Sequence, residues 1–260
     1  HVHSSYSGDC NSSMENMIQG AINKGAKAVV FTDHIDYEYG DPNITFDFNL
    51  EDYLIEFNEL KNKYSDAIEV LSGIEIGAQP HIGDLNTKLI EKHSLDFVIM
   101  STHIVKNKDL HTGEFFKNKS PLRNYHDYYT EVLENLDSFD NFDIVGHLNL
   151  VERYWKYMDY DKVHINSYKD ILSDILKKVI YNGKGIEVNT SGMRYGINSF
   201  LPDFEILRLY KELGGEIITV GSDAHTPSDI CCDFKKAHEL LKEIGFKYIS
   251  IFKNRECEFI

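Results

Sequence analysis

The segment Ile217-Ile218-Thr219-Val220-Gly221-Ser222-Asp223-Ala224-His225 decides how this chain is interpreted. Its first four residues are apolar or β-branched, which is typical of a buried strand, and Asp223 and His225 follow where that strand would end. Side chains two residues apart in an extended segment point the same way. We therefore expect the carboxylate and the imidazole to converge on one site.

The same arrangement, an apolar run followed by a histidine or a carboxylate, recurs along the chain. It is found at residues 1–3, 29–34, 73–75, 98–103 and 144–147. Together with one acidic residue in the first loop, these positions give nine candidate metal ligands: His1, His3, Asp9, His34, Glu75, His103, His147, Asp223 and His225. Imidazoles and carboxylates without thiolates suit zinc, manganese or iron, and nine ligands exceed the needs of one ion. The sequence predicts two or three divalent ions.

Strand-like and helix-like segments alternate, which predicts βα units and a parallel sheet. Strands are predicted over residues 27–32, 68–76, 97–102, 143–146, 185–188, 216–220 and 248–252. Helices are predicted over residues 12–24, 50–64, 85–93, 125–139, 165–181, 204–213 and 234–244. Residues 35–49 and 105–120 are expected to form long loops over the site.

With the segment 1–3, this pattern gives seven or eight strands. An open doubly wound sheet would gather ligands mainly at one switch point. Here candidate ligands follow nearly every strand, and only a closed barrel brings all strand ends together. The sequence therefore predicts an α/β fold, a (β/α) barrel with its active site at the C-terminal ends of the strands.

Composition restricts the class of protein. The 260 residues, 42% of them hydrophobic, suffice for a single domain over residues 1–260. A formal charge of −15 argues against sequence-independent nucleic-acid binding, which requires a basic surface. No apolar run approaches the roughly 18 residues of a membrane span. A small anionic substrate is compatible with this charge, and we expect neither a nucleic-acid nor a membrane partner.

The four cysteines include no Cys-x-x-Cys pair, which is typical of a reduced, cytoplasmic protein. No signal peptide is visible. The chain begins at His1 rather than Met, so we expect that some residues, the first part of a strand, precede it. No pattern predicts an oligomeric state.

Taken in order, the ligand motifs resemble those of the PHP (polymerase and histidinol phosphatase) family of metal-dependent hydrolases. The matching pieces are His1-Val2-His3 with Asp9, Thr32-Asp33-His34, Gly73-Ile74-Glu75, Ser101-Thr102-His103, Gly146-His147 and Gly221-Ser222-Asp223-Ala224-His225. Residues 146–154 (GHLNLVERY) and 187–194 (EVNTSGMR) are most similar to the monofunctional histidinol-phosphate phosphatases. One difference is Asn149, where relatives often have Asp.

The resemblance implies a distorted (β/α)7-type barrel with a trinuclear metal centre. It also implies an enzyme of histidine biosynthesis that hydrolyses L-histidinol phosphate to L-histidinol and phosphate. By analogy, one ion would be held by His1, His3, Glu75 and Asp223, a second by Glu75, His103 and His147, and a third by Asp9, His34 and His225.

Two arginines beyond strand ends, Arg153 and Arg194, are candidates for a bidentate phosphate clamp. With Asp223, His225 and Glu75 they form the expected catalytic set. For the cationic end of the substrate we expect an acidic, aromatic rim. The candidates for this end are Asp36, Tyr37, Glu38, Tyr39, His81, Tyr154 and Trp155.

The group that protonates the leaving alcoholate is left open among Asp33, His81 and Tyr154. Two other functions are also open. One is a PHP phosphoesterase acting on another small phosphate ester or on nucleic acid, as an exonuclease or phosphodiesterase. The other is a non-catalytic metal-binding module. The absence of a basic face argues against nucleic acid, and the complete ligand set argues against the non-catalytic module.

Overall fold

The computed structural model describes residues 1–40, 44–158 and 163–260. Its strands are β1 (Ala28–Ile35), β2 (Glu69–Gly77), β3 (Phe97–Ser101), β4 (Ile104–Val105), β5 (Lys108–Asp109), β6 (Ile144–Val145), β7 (Gly185–Asn189), β8 (Ile218–Gly221), β9 (Ser250–Lys253) and β10 (Glu256–Phe259). Its α-helices are α1 (Met14–Asn23), α2 (Leu50–Lys63), α3 (Gly83–Glu91), α4 (Pro121–Ser138), α5 (Lys169–Tyr181), α6 (Ser191–Arg194), α7 (Phe204–Glu212) and α8 (Phe234–Ile244). Six strands form one parallel sheet in the order β1-β2-β3-β6-β7-β8.

The segment 1–3 joins the two edges of this sheet. Val2 pairs in parallel with Ala224, just after β8, and the His3 N–H donates to the Ala224 carbonyl at 2.9 Å. On its other side the Val2 carbonyl accepts from the Thr32 N–H of β1 at 2.8 Å. The segment 1–3 therefore acts as a minimal seventh strand, and the predicted distorted (β/α)7-type barrel is confirmed.

Local sequence signals set the helix boundaries. The side chains of Ser13, Asn49, Ser120 and Asp203 each accept a hydrogen bond from a first-turn N–H of the helix that follows. Helix α8 ends at Ile244 and is capped by Gly245, whose φ of 103° suits glycine. No helix within the described ranges is both long and apolar enough to cross a membrane.

The strand predicted over residues 248–252 forms, but it does not join the parallel sheet. Instead β9 pairs with β10 in an antiparallel hairpin, and alternate residues of β9 are buried. Phe252 stacks on Phe97 with ring centroids 5.2 Å apart, and Arg255 donates to the Asp143 carboxylate at 2.6 Å. The hairpin thus packs against the N-terminal ends of the barrel strands.

The predicted loop over residues 105–120 is partly regular, because it contains most of the β4–β5 hairpin and a 3₁₀ turn, Glu114–Phe116. The 3₁₀ segment Leu150–Tyr157 and helix α6 were not predicted. In the other predicted loop, residues 36–40 and 44–49 contain no helix or strand, while residues 41–43 lie outside the described residues.

We predict that Gly73→Ala destabilises the barrel. A Cβ at position 73 would lie 2.7 Å from the Phe97 carbonyl oxygen and 2.8 Å from that of Phe31, and neither backbone can move without opening the β1–β2–β3 sheet. We expect a loss of about 1–3 kcal/mol in the free energy of unfolding, measured by urea denaturation. Gly40→Ala is the control, because a Cβ at position 40 would have no described heavy atom within 4 Å. Equal stability of both variants would contradict the close packing described here.

Candidate metal centre

The nine ligand candidates meet at the C-terminal end of the barrel. His1 and His3 come from the segment that joins the sheet edges, and Asp9 from the loop after it. His34 and Glu75 lie on β1 and β2, and the other four ligands follow β3, β6 and β8. Eight of the nine, all except Asp9, fall into four overlapping sets, and within each set the ligand atoms lie within 4.8 Å of one another. These sets are His3, His34 and His225; His1, His3 and Glu75; His1, His147 and Asp223; and His34, Glu75 and His103.

Glu75 is the centre of the cluster. Its Oε2 lies 3.2 Å from His1 Nε2 and 3.6 Å from His3 Nε2, while Asp223 Oδ1 lies 3.2 Å from the same nitrogen of His3. Ligand atoms at ~2.0–2.2 Å around a tetrahedral ion are roughly 3.3–3.6 Å apart. The spacing of these four residues therefore suits a shared ion.

The other oxygen of Glu75 faces a second pair of imidazoles. Oε1 lies 2.9 Å from His147 Nε2 and 3.5 Å from His103 Nε2. A third group surrounds Asp9, whose Oδ2 is 3.2 Å from His225 Nε2 and 4.0 Å from His34 Nε2. The distances are compatible with the three ligand groups expected from the family resemblance.

Several of the converging atoms are buried and have no hydrogen-bond partner among the described residues. They are Nε2 of His1, His3 and His225, Nδ1 of His34, and Oε2 of Glu75. A buried polar atom without a partner costs about 1–3 kcal/mol, so a protein rarely collects several at one point. Divalent cations would satisfy all of them, and the residues fit a metal centre on this observation.

Neighbouring groups orient the imidazoles. Glu187 accepts a hydrogen bond from His1 Nδ1 at 2.7 Å, and Asp36 accepts one from His103 Nδ1 at 2.7 Å. Each bond leaves Nε2 free to face Glu75, as is usual for metal-bound histidines. The sequence pattern did not identify Glu187 as a site residue, although it lies on β7, one of the barrel strands.

Ser7 links the imidazole of His3 to the buried carboxylate of Asp33. Ser7 Oγ donates to Asp33 at 2.9 Å, so it accepts from His3 Nδ1 at 3.0 Å. Asp33 also accepts from the N–H and hydroxyl of Ser4 at 2.5 and 2.9 Å. The Asp33 carboxylate is thus engaged behind His3 and does not line the cavity.

The electrostatics favour the metal-binding forms of Glu75, Asp223 and His3. Burial would raise the pKa of Glu75, but the imidazoles of His1 and His34 outweigh burial and hold that pKa well below its usual range. The pKa of Asp223 is also held well below its usual range, because Arg153 and His1 outweigh the effect of burial. Burial, with His225 and His34 nearby, lowers the pKa of His3 to about 3. Two carboxylates are charged and His3 is neutral, as coordination requires.

A cavity of about 450 Å³ opens over the cluster. It is lined by Asp36, Tyr39, Arg153, Tyr154 and Trp155 from the predicted substrate site, and by His111 from the long loop over residues 105–120. Asp109 and Tyr195, which were not predicted, also line it.

Other predicted substrate residues lie elsewhere. Tyr37, Glu38 and His81 are not among the lining residues, and His81 Nε2 pairs with Glu38 at 2.9 Å in an exposed contact.

The two arginines occupy different positions. Arg153 lines the cavity and donates to Asp223 Oδ2 and Ser191 Oγ, both at 2.6 Å. Arg194 lies behind this carboxylate and donates to the carbonyls of Ser222 and Asp223 at 2.7 and 3.0 Å. Asp223 has a φ of 51°, in the left-handed region, and the Arg194 contacts fix that turn.

Comparisons with known proteins agree with this geometry. The family model described as the PHP domain matches residues 1–191. The chain is 29% identical to a histidinol-phosphatase of Lactococcus lactis subsp. lactis, over 99% of this chain and 95% of that protein. It is 27% identical to a probable histidinol-phosphatase of Clostridium acetobutylicum, over 100% and 98% of the two chains.

Two solved structures are also similar. The crystal structure of histidinol phosphate phosphatase from Lactococcus lactis, complexed with zinc, L-histidinol and phosphate, superimposes with a TM-score of 0.89 at 26% identity, covering 99% of this chain and 97% of the other. The putative histidinol phosphatase of Listeria monocytogenes has a TM-score of 0.75 at 17% identity, covering 91% and 98%, and shows the shared fold.

We predict that Asp223→Asn abolishes turnover while the chain stays folded. The change removes a charge that faces His1, His3 and Arg153 at the rim of the barrel, without removing a core contact. Phosphate release should fall to background, with circular dichroism unchanged. Asp84→Asn, an exposed change in α3, should retain full activity. A folded, metal-loaded Asp223→Asn protein with near-normal activity would be incompatible with this metal centre.

Proposed function

This chain belongs to the PHP family of metal-dependent hydrolases, and from that premise we propose that it hydrolyses L-histidinol phosphate to L-histidinol and phosphate. This reaction is a step of histidine biosynthesis. The observation that carries the proposal is the cavity in which a cluster of buried, unpartnered ligand atoms faces Arg153 and an aromatic rim. Similarity over the whole chain to a histidinol-phosphatase supports it.

We assign three divalent ions to the cluster. His1, His3, Glu75 and Asp223 would hold the first, Glu75, His103 and His147 the second, and Asp9, His34 and His225 the third. Zinc is present in the similar Lactococcus structure, and manganese and iron suit the same ligands. When bound, such ions stabilise charge on phosphoryl oxygens and lower the pKa of a water molecule towards about 7.

The protein itself positions the phosphate. Arg153 is held against Asp223 and Ser191, so its guanidinium is fixed before substrate arrives. Its Nε and Arg194 NH1 are buried and have no hydrogen-bond partner among the described residues. Arg153 can therefore hold phosphoryl oxygens in a fixed orientation, whereas Arg194, the other candidate for the clamp, lies behind Asp223 and is not among the residues that line the cavity.

The leaving group has one candidate donor inside the cavity. Of the three residues considered from the sequence, Asp33 is engaged with serines and His81 is exposed, whereas Tyr154 lines the cavity. Burial raises the pKa of the Tyr154 hydroxyl, and Arg153 only partly opposes this effect. Tyr154 therefore stays protonated at neutral pH, and we assign it to hydrogen bonding with the substrate.

The rim discriminates between substrates. Tyr39, Tyr154 and Trp155 present aromatic faces on which an imidazole can stack or an ammonium group can rest. A polyanionic nucleic acid would meet a chain with a formal charge of −15. These features favour a small phosphate ester with a cationic, aromatic end over the exonuclease alternative.

We predict that histidinol phosphate is hydrolysed with a kcat/KM at least roughly a hundredfold above that for propyl phosphate or p-nitrophenyl phosphate, about 2.7 kcal/mol of additional transition-state stabilisation. Phosphate release from a substrate panel, in zinc and in manganese, measures this. Single-stranded DNA should remain intact. Equal rates on all monoesters would indicate a general phosphatase, and release of nucleotides from DNA would favour the exonuclease.

We predict that Arg153→Ala and Arg194→Ala each lower kcat/KM for histidinol phosphate by at least about tenfold, or 1.4 kcal/mol. In the first variant the phosphate loses a charged donor, and in the second the turn that carries Asp223 loses the contacts that fix it. Steady-state kinetics on metal-loaded protein provide the measurement. Arg208→Ala is the control, since Arg208 pairs with Glu212 at 3.5 Å and its side chain is 60% exposed. Unchanged kinetics for both Arg153→Ala and Arg194→Ala would show that the metals alone hold the phosphate.

A further inference from the structure

The β4–β5 hairpin brings a carboxylate, Asp109, to the edge of the metal cluster. The hairpin begins one residue after the ligand candidate His103, and Ile104 pairs with Asp109 across it. The Leu110 N–H donates to the His103 carbonyl at 3.2 Å, which ties the end of β5 to the same ligand. Asp109 therefore lies at a fixed position beside the cluster, although the sequence showed only an aperiodic loop.

The hairpin is anchored to helix α4 as well as to His103. Its turn residues Lys106 and Asn107 have φ values of 51° and 58°. The Lys106 ammonium group donates to Asp127 on α4 at 2.7 Å, and its N–H donates to Glu131 at 3.2 Å. The position of Asp109 consequently does not depend on its own side chain.

The Asp109 carboxylate is buried, and one of its oxygens faces no cationic group among the described residues. Its residue is 5% exposed, and Oδ1 accepts from the His111 N–H at 2.7 Å. Oδ2 has no partner with hydrogen-bond geometry in the described ranges. Tyr39 is close enough for Asp109 to contribute, after burial, to raising the pKa of the phenol. A neutral phenol can donate a hydrogen bond to a carboxylate, but it cannot neutralise the charge of the carboxylate.

A comparison of the four carboxylates that line the cavity singles out Asp109. Three have a cationic or imidazole partner: Asp9 faces His225 at 3.2 Å, Asp36 faces His103 at 2.7 Å, and Asp223 faces Arg153 at 2.6 Å. Asp109 forms no ion pair with any described residue. A buried charge without a counter-charge is costly, so a ligand cation is the missing partner.

We propose that Asp109 determines substrate specificity by binding the ammonium group of the substrate. The inference rests on the proposed function, because it takes the substrate to be an amine-bearing phosphate ester. In histidinol phosphate the amine is on the carbon next to the one that carries the ester oxygen. A carboxylate that binds this amine must therefore lie close to the phosphate site, as Asp109 does through its tie to His103.

The test is Asp109→Asn, which removes the charge but keeps an oxygen for the His111 N–H. Two substrates are compared: histidinol phosphate and 3-(imidazol-4-yl)propyl phosphate, which lacks only the amine. We expect the ratio of their kcat/KM values to fall at least about tenfold in the variant, the usual size of a lost charged hydrogen bond. Activity on the amine-free ester should stay at the wild-type level.

Asp127→Asn is the matched control. Asp127 is also a buried carboxylate and anchors the same hairpin through Lys106, but it does not line the cavity. This variant should leave the substrate ratio unchanged. If Asp109→Asn lowers activity on both esters equally, or changes neither, Asp109 does not bind the amine and the proposal is overturned.

Calorimetric binding of L-histidinol to the metal-loaded protein separates this proposal from the proposed function. Should the wild-type protein hydrolyse neither ester, the proposed function fails. Weaker binding of L-histidinol to Asp109→Asn than to wild type, by at least about tenfold, would still support the amine site. Equal binding, or no binding to either protein, would overturn it.

Discussion

The structure depends on the burial of one charged carboxylate, Glu75, at the C-terminal end of the barrel. Its side chain is fully buried, and burial alone would favour the neutral acid. The surrounding imidazoles reverse that preference, and Ser101 Oγ donates to Oε1 at 2.6 Å. A charge in this position is tolerated only when its partners are fixed. The partners come from β1, from the residues after β3 and β6, and from the segment 1–3, so the barrel must close before the site exists.

Closure itself rests on few contacts. Val2 bonds to Thr32 of β1, while its neighbours His1 and His3, the two histidines that face Glu75, bond to Asp223 and Ala224 after β8. Glu187 on β7 then accepts from His1 Nδ1. It lies close enough to Gly221 that any side chain at position 221 would collide with its carboxylate. The contacts that close the barrel therefore also orient the metal ligands.

Much of this was predictable from the sequence, because side chains at the C-terminal ends of parallel strands must meet at one end of a barrel. A histidine or carboxylate after an apolar run carried that information without knowledge of any contact. The run at residues 248–252 predicted a strand but could not specify its partner, which is β10 rather than a barrel strand. Asp109 was missed because its position depends on a hairpin turn at Lys106 and Asn107, and the turn has no hydrophobic periodicity. The carbonyl contacts of Arg194 depend likewise on the left-handed backbone of Asp223.

Among the described residues, buried polar groups have hydrogen-bond partners at the N-terminal end of the barrel, whereas several at the C-terminal end have none. At the N-terminal end, Asp96 accepts from the Ser72 and Asn254 backbones, and Asp143 accepts from Val98 and Arg255. All of these bonds are made within the chain, so that end contributes stability. At the C-terminal end, buried nitrogen and oxygen atoms converge without partners in the described part of the chain. Because an unpartnered group costs stability unless a ligand satisfies it, metal and substrate binding should stabilise this end selectively. The paired end holds the strands in register, and that register keeps the unpaired atoms in position to bind.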